Sequence, residues 1–291
     1  MDLMQRLKGP EILIFDGAMG TQLDQRKAPM GGGANLTHPE AVLDIHREYI
    51  KAGVDVLITN TLTMNRISIE SQSLGIDVEQ VNCIGAKLAK EAAVGKCFVV
   101  GDISSTGQLL EPYGSYTEEA FVDNFKEQAS VLAHAGVDGL IIETVFDLRE
   151  GLCALKACRE AAPNLPAILS LTFSTVARGC RTIMGNSAAD LAKAAEENGA
   201  AAVGTNCGDL SPEEVSEVIA ELRANTSLPI IAMPNAGKPK LEGETTLFEM
   251  TPEQFASGVM ECIKKGAVMV GGCCGTSPDH IRELAKLVKN Q

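Results

Sequence analysis

The sequence predicts an α/β protein, a single (β/α)8 TIM barrel that occupies residues 1–291. Eight short, nearly continuous apolar segments occur along the chain, as is typical of strands buried on both faces of a parallel sheet. A stretch with helical periodicity follows each of them, and eight such units close into a barrel. A chain of 291 residues with 45% hydrophobic and 22% charged residues can bury the large core that this fold needs.

The strands are expected at regular intervals, and a helix follows each one. We place the strands at residues 12–15, 54–60, 96–102, 137–143, 167–173, 201–207, 229–235 and 267–273. We place the helices at 38–52, up to about 93, at 117–135, up to about 161, at 188–198, 212–224 and 252–265, and from 278 onward. Thr37 is the expected N-cap of the first of these helices, with Pro39 in its first turn.

Four helices are expected to end at a glycine that turns the chain into the next strand. These glycines are Gly53, Gly136, Gly199 and Gly266. Glycine is favoured just after a helix because it adopts a left-handed backbone conformation without strain. The turns belong to the N-terminal ends of the strands. The active site of a barrel enzyme lies at the opposite, C-terminal ends.

Those C-terminal strand ends carry polar side chains and thiols. In chain order they are Asp16, Thr59 with Asn60, Asp102, Glu143, Thr172, Asn206 with Cys207, Asn235, and Cys273 with Cys274. Carboxylates and thiols at one mouth suit a metal ion and a small cationic or zwitterionic substrate. Acids at strand ends also often bind backbone amides, and for Asp102 both interpretations stay open.

Three of the nine cysteines are predicted metal ligands, namely Cys207, Cys273 and Cys274. Successive side chains of a regular strand point to opposite faces, so the glycines that flank the adjacent pair must bend the backbone for both sulfurs to converge. Three thiols suit zinc, with the fourth tetrahedral position open. The other six lack such a context and are expected in the core or on the surface: Cys83, Cys97, Cys153, Cys158, Cys180 and Cys262.

This metal site favours a substrate that carries a thiol. Three thiolates around a divalent ion make it a weak Lewis acid toward water, whereas coordination deprotonates a substrate thiol whose free pKa is about 8.5. Asp16 and Glu143 would bind an amine of the substrate, and the backbone N–H groups of the turn at Gly17 and Ala18 would bind a carboxylate. Homocysteine has all three groups.

The chain resembles the homocysteine S-methyltransferase family over essentially its whole length, and is particularly similar to the homocysteine-binding module of cobalamin-dependent methionine synthase. The matching stretches are 16–21 (DGAMGT), 35–37 (NLT), 59–61 (TNT), 101–103 (GDI), 143–144 (ET), 206–207 (NC), 234–239 (PNAGKP) and 271–276 (GGCCGT). The resemblance implies that Cys207, Cys273 and Cys274 bind zinc and that homocysteine, activated as a zinc thiolate, is methylated to methionine. It further implies that Asp16 and Glu143 hold the substrate amine and that Asn235 fills the fourth position until homocysteine displaces it.

The resemblance also bears on the methyl donor. A betaine donor needs an aromatic cage, but the chain has no Trp and three Tyr. Members that use S-methylmethionine tend to carry Arg after the paired cysteines, whereas Gly275 stands here, as in the corrinoid-dependent type. The chain ends after its eighth helix and lacks the Asp-x-His-x-x-Gly corrinoid motif. We therefore expect either that methylcobalamin, or another methylcorrinoid, is carried by a separate partner protein, or that the chain is one module of a split system.

Two alternatives stay open. The protein could be a corrinoid-linked methyltransferase or demethylase component that acts on another small thiol or another methyl donor, or a non-catalytic subunit that binds zinc or a thiol. A metal-dependent aldolase or lyase is disfavoured, since such sites use harder ligands and all four histidines lie in predicted helices: His38, His46, His134 and His280.

Charge and hydropathy exclude other partners and indicate a compartment. The net charge is −13 and the basic residues are scattered, so neither nucleic acid nor an anionic membrane is an expected partner. No apolar run reaches the length of a membrane helix, and the N-terminus lacks the apolar segment of a signal peptide. We therefore expect a cytoplasmic protein with reduced thiols.

Overall fold

Eight parallel strands form one sheet, and helices connect them. The computed structural model describes residues 2–177, 179–243 and 245–290. The strands of the sheet are β1 (Leu13–Ile14), β2 (Val56–Ile58), β3 (Phe98–Ser104), β4 (Gly139–Val145), β5 (Ala167–Leu171), β6 (Ala202–Asn206), β7 (Ile230–Met233) and β10 (Met269–Val270). Strands β8 (Lys240–Glu242) and β9 (Thr245–Leu247) pair antiparallel in a separate hairpin.

The sheet closes where its first and last strands meet. Its strand order is β1-β10-β7-β6-β5-β4-β3-β2, and every neighbouring pair is parallel. Phe15 forms a parallel bridge with Val56, and the Asp55 N–H donates to the Ile14 carbonyl at 2.7 Å. The predicted (β/α)8 barrel is confirmed.

The eight predicted helices are present, and additional short helices precede or divide them. The helices are α1 (Leu3–Leu7), α2 (Gly20–Gln25), α3 (Ala34–Thr37), α4 (Pro39–Ala52), α5 (Arg66–Ser71), α6 (Val78–Ala93), α7 (Glu118–His134), α8 (Leu148–Ala161), α9 (Ala188–Glu197), α10 (Pro212–Asn225), α11 (Pro252–Lys264) and α12 (Pro278–Lys289). The helical stretch predicted to run up to residue 93 is therefore two helices, α5 and α6.

The predicted helix starts and ends are borne out with one exception. The four glycines have the expected left-handed φ angles, which are 103° at Gly53, 80° at Gly136, 71° at Gly199 and 110° at Gly266. The prediction that Thr37 caps α4 is wrong, because His38 occupies the N-cap position. Thr37 instead ends α3, where its hydroxyl donates to a carbonyl of that helix's first turn.

The barrel interior is packed at the N-terminal ends of the strands. Leu13, Val56 and Val100 are among the inward side chains, and Leu3 and Leu7 of α1 pack against this group. A Cβ atom on Gly139 would lie 2.9 Å from Leu3 Cδ2, which places α1 against the start of β4. Helix α1 thus closes this end of the barrel. Within the described residues, no helix has the length and apolar character needed to cross a membrane.

Candidate metal and thiol site

At the C-terminal end of the barrel, inward strand positions change from apolar to acidic. Side chains alternate along a strand, so Val100 and Asp102 of β3 share the inner face, as do Ile141 and Glu143 of β4. The two apolar residues belong to the packed interior. The acids stand one layer above it, where the barrel opens.

A cavity of about 370 Å³ occupies this opening, a size suited to a small ligand. Every predicted site residue except Asn235 lines it. The lining consists of residues 16–21, 30–31, 58–60, 62, 102, 143–144, 207 and 272–274. Among these lining residues none is basic and none is aromatic.

The three predicted ligand cysteines come together in this cavity. Their sulfur atoms all lie within 4.8 Å of one another, and Cys207 Sγ is 3.8 Å from Cys274 Sγ. Tetrahedral zinc with Zn–S bonds of about 2.3 Å separates its sulfur ligands by about 3.8 Å, so the spacing fits a zinc ion. The third sulfur, of Cys273, lies 3.9 Å from Asn206 Nδ2.

Backbone turns bring the sulfurs together, as the glycine context predicts. Cys207 has a left-handed φ of 59°, and Gly208 follows with 82°. This conformation is costly for a residue with a side chain and is typical of functional sites. Gly275 has a φ of 79°, and a Cβ atom there would lie 2.2 Å from Phe248 Cγ. A larger residue at position 275 would therefore displace Phe248.

Hydrogen bonds clamp the cysteine loop to its neighbours. The Cys273 N–H donates to the Pro234 carbonyl at 2.9 Å, and the Ala236 N–H donates to the Cys274 carbonyl at 3.0 Å. Thr276, within the GGCCGT stretch, donates its hydroxyl to the Cys273 carbonyl at 2.7 Å. The loops after β7 and β10 are thus one connected unit.

The turn at residues 17–18 is attached to the same unit. Thr276 Oγ1 accepts from the Ala18 N–H at 2.9 Å, and the Tyr49 hydroxyl donates to the Ala18 carbonyl at 2.8 Å. A Cβ atom on Gly17 would lie 2.5 Å from Thr276 Oγ1, so glycine is required for this close approach. The supporting roles of Thr276 and Tyr49 have no local sequence pattern, because their partners come from distant parts of the chain.

The three carboxyl groups of the cavity have no basic residue beside them among the described lining residues. Burial raises the pKa of Asp16 well above its usual value, although the Ile58 N–H donates to this carboxylate at 3.1 Å. Burial, with the charge of Cys207, raises the pKa of Glu143 to about 8. Burial and the charges of Glu143 and Asp16 raise the pKa of Asp102. A cation in the cavity would stabilise all three carboxylates.

The thiols differ in acidity even without a metal. Contacts from Cys207 and Cys273 lower the pKa of the Cys274 thiol to about 4. Contacts with the other two sulfurs, together with burial, raise the pKa of Cys273. The contacts between the sulfurs therefore favour the thiolate form at Cys274 over that at Cys273, and thiolate is the form that binds metal.

Asn235 lies beside the cysteine loops without lining the cavity. Its side chain is 2% exposed, and Nδ2 donates to the Gly208 carbonyl at 2.6 Å. Its Oδ1 is buried and has no hydrogen-bond partner within the described residues. Three converging sulfurs fit a metal ion, and the unpartnered oxygen belongs to a residue whose amide nitrogen binds the carbonyl of Gly208, directly after Cys207.

Asn206 supports the acidic wall, and its contacts could not be read from the sequence. Its Oδ1 accepts from the Thr144 N–H at 3.0 Å and from Ser170 Oγ at 2.7 Å. Its Nδ2 donates to the Thr144 hydroxyl at 2.7 Å. Thr144 has a left-handed φ of 56°, so Asn206 stabilises the strained backbone next to Glu143.

Known proteins resemble this chain in sequence and in fold. The family profile described as homocysteine S-methyltransferase matches residues 13–288. Methionine synthase of Mycobacterium leprae is 29% identical over 308 residues, which cover 99% of this chain and 25% of the relative. Methionine synthase of Mycobacterium tuberculosis is 29% identical over 300 residues, covering 96% of this chain and 25% of the relative. The chain thus spans about a quarter of the length of these relatives.

A solved structure shows the same fold. The metallated form of the homocysteine methyltransferase MmuM from Escherichia coli superposes with a TM-score of 0.78 at 22% sequence identity, covering 97% of this chain and 98% of that one. At this identity the similarity concerns the fold. The family profile covers nearly the whole chain, including the three clustered cysteines and the acids of the cavity. The chain therefore belongs to the homocysteine S-methyltransferase family.

Proposed function

We propose that the protein binds zinc through Cys207, Cys273 and Cys274 and methylates the thiol of homocysteine to form methionine. The observation that carries this proposal is the cluster of three sulfurs, within 4.8 Å of one another, on the wall of an acidic cavity. When bound, zinc would supply the positive charge that keeps a substrate thiol deprotonated and nucleophilic at neutral pH. Asn235 is the proposed fourth ligand that homocysteine replaces.

The chain's own residues would orient homocysteine. Asp16 and Glu143 would accept hydrogen bonds from the substrate ammonium, because both carboxylates line the cavity and no basic residue among the lining competes for them. The Ala18 N–H already donates to Thr276, so the Gly17 N–H is the donor we assign to the substrate carboxylate. Ala18 then shapes the wall of the substrate site. These contacts hold the amino acid so that its thiol points at the cysteines.

We further propose that the methyl donor is a methylcorrinoid. No aromatic ring is found among the cavity-lining residues, so a cage for a quaternary ammonium such as betaine is not supplied there. Gly275 packs against Phe248 too closely for the arginine that the S-methylmethionine-dependent type carries. The cytoplasm, where thiol ligands stay reduced, is the proposed compartment.

The proposal is tested with zinc-loaded protein, homocysteine and three methyl donors: methylcobalamin, S-methylmethionine and betaine. Methionine formed from methylcobalamin, and much more slowly from the other two, is the expected result. Methionine formed only from S-methylmethionine or betaine would contradict the corrinoid assignment. Methylation of other thiols in preference to homocysteine would contradict the acceptor, and no turnover with any donor would favour a binding subunit.

A further inference from the structure

Among the acids that the structure describes, Asp102 alone has a fully buried carboxylate oxygen without a hydrogen-bond partner. Its side chain is 4% exposed, it lines the cavity, and its Oδ1 has no hydrogen-bond partner within the described residues. Glu150 is equally buried, at 4% exposed, yet its carboxylate accepts from the Thr106 N–H and hydroxyl and from the Ser105 hydroxyl. Burying a carboxylate without partners is costly. No hydrogen bond within the described residues therefore accounts for the burial of the Asp102 Oδ1 atom.

The backbone around Asp102, in contrast, is firmly held. Its N–H donates to Thr59 Oγ1 at 2.9 Å, and its carbonyl accepts from Thr61 Oγ1 at 2.8 Å. Gln128 Nε2 also donates to this carbonyl, at 3.3 Å. These bonds fix the backbone of β3 at Asp102, a residue that lines the cavity. Such a side chain on a rigid element is typical of a binding residue.

The neighbouring charges define what this carboxylate can bind. Asp16 and Glu143 line the same cavity, and their charges act on Asp102. No lining residue is basic, so the three acids have no cation from the protein lining. A primary ammonium has three N–H donors, and three carboxylates supply one acceptor for each.

We propose that Asp102 is the third acceptor for the substrate ammonium and, with Asp16 and Glu143, makes the site selective for thiols that carry a free primary amine. This inference rests on the proposed function and adds a specificity determinant to it. Thiols without the amine should bind more weakly, because the three carboxylates would stay buried without a hydrogen-bond donor from the ligand. N-acylated thiols are rejected for the same reason.

The test compares the binding of homocysteine and 4-mercaptobutanoate, which lacks only the amine, to the zinc-loaded protein by isothermal titration calorimetry. We expect the wild type to prefer homocysteine. In Asp102→Asn the affinity for homocysteine should fall about ten- to a hundredfold, while that for 4-mercaptobutanoate changes little. Asp102→Glu, which keeps a carboxylate, should show part of the wild-type preference for homocysteine. Glu150→Gln removes a buried acid outside the cavity lining and should show the full preference. Zinc content and melting curves establish that each variant is folded.

The outcomes separate this inference from the proposed function. If the wild type prefers homocysteine and Asp102→Asn retains the full preference, the assignment of Asp102 is wrong while homocysteine remains the acceptor. An equal loss of affinity for both thiols would likewise contradict a contact with the ammonium. If the wild type binds both thiols equally, the ammonium site and the proposed acceptor both fail.

Discussion

Acidic residues at the two ends of this barrel serve different purposes. At the N-terminal ends of the strands, Asp55 Oδ2 accepts from the Ile14 N–H at 2.9 Å, and Asp138 Oδ2 accepts from the Val99 N–H at 2.7 Å. Each of these carboxylates thus joins its strand to the adjacent one. At the C-terminal ends, Asp102 has an oxygen with no hydrogen-bond partner in the described part of the chain, and burial raises the pKa of Glu143 to about 8.

The difference shows that the N-terminal end of the barrel stabilises the fold, whereas the C-terminal end contains groups that destabilise it. The N-terminal end is filled by apolar side chains and by α1, and its acids are hydrogen-bonded. The C-terminal end combines buried acids, clustered thiols and two strained residues, Thr144 and Cys207. Unpaired polar groups and strained backbone persist at sites where a ligand compensates for them. Substitutions at the two ends should therefore have opposite effects on stability and binding.

Removal of a thiol ligand is expected to have the largest effect. Cys274→Ala should lower the affinity for zinc by more than about a hundredfold and abolish methylation, because even residues that only support a metal ligand contribute about ten- to a hundredfold. Metal analysis of the purified protein checks this. Cys83→Ala, outside the cluster, should retain the metal. Equal metal content in the two variants would contradict the site.

His46, on α4, is a buried titratable residue outside the cavity lining. We expect its protonation to change the stability of the fold. Its ring nitrogens have no hydrogen-bond partner within the described residues, and burial lowers its pKa to about 4. The unfolded chain, with a pKa near 6.5, binds the proton first, so stability is full above pH 6.5 and falls by about 3 kcal/mol as the pH drops to 4.

Denaturant unfolding of wild type and His46→Leu across this pH range measures the effect. The variant should lose about 3 kcal/mol less than the wild type between pH 6.5 and 4. His134→Leu, at an exposed position of α7, serves as the matched control and should follow the wild type. Parallel pH curves for all three proteins would show that His46 does not titrate in this way.

Glu143→Gln should separate binding from stability at the C-terminal end. We expect the affinity for homocysteine to fall about ten- to a hundredfold, because a charged acceptor for the ammonium is lost. The unfolding free energy of the metal-free protein should rise by about 1 kcal/mol, since a buried carboxylate without a countercharge is removed. Calorimetric titration and denaturant unfolding measure the two quantities. A loss of stability would indicate that Glu143 is a structural residue.

Asp55→Ala, at the N-terminal end, should lower stability and leave substrate binding unchanged. This is the smallest of the expected effects. Loss of the hydrogen bond to the Ile14 N–H should lower the unfolding free energy by about 1 kcal/mol. Zinc content and the KM for homocysteine should stay as in the wild type. Asp123→Asn, at an exposed position of α7, controls for loss of charge. A changed KM would contradict the division between the two ends.

The sequence predicts the barrel and the thiol cluster because both depend on local patterns. Apolar runs mark the strands, and glycines beside Cys207 and Cys273 mark turns that direct sulfur inward. The break between α5 and α6 also has a local sequence signal, because Gly75 and Asp77 lie between the two helices. Gly75 has a left-handed φ of 64°, and Asp77 is the N-cap of α6. The helical periodicity on both sides of this signal nevertheless predicts one continuous helix. The hairpin of β8 and β9 has exposed residues and no apolar pattern that predicts strands.

The roles of the acids could not be predicted from sequence alone. Asp55 and Asp102 both lie next to apolar strand residues and look alike in the chain. Only the hydrogen bonds between strands show that the first is satisfied by Ile14 while the second has a free oxygen. Asn235 is similar, since its unpartnered Oδ1 becomes visible only once Gly208 is seen to bind its Nδ2. Contacts between distant segments decide such assignments.

In the site that we propose, three cysteines hold a metal and leave one position for the substrate thiol. Zinc K-edge X-ray absorption of the zinc-loaded protein, with and without homocysteine, tests it directly. We expect about three sulfur ligands near 2.3 Å without homocysteine and about four with it. A sulfur count that stays the same after saturation with homocysteine would contradict the claim.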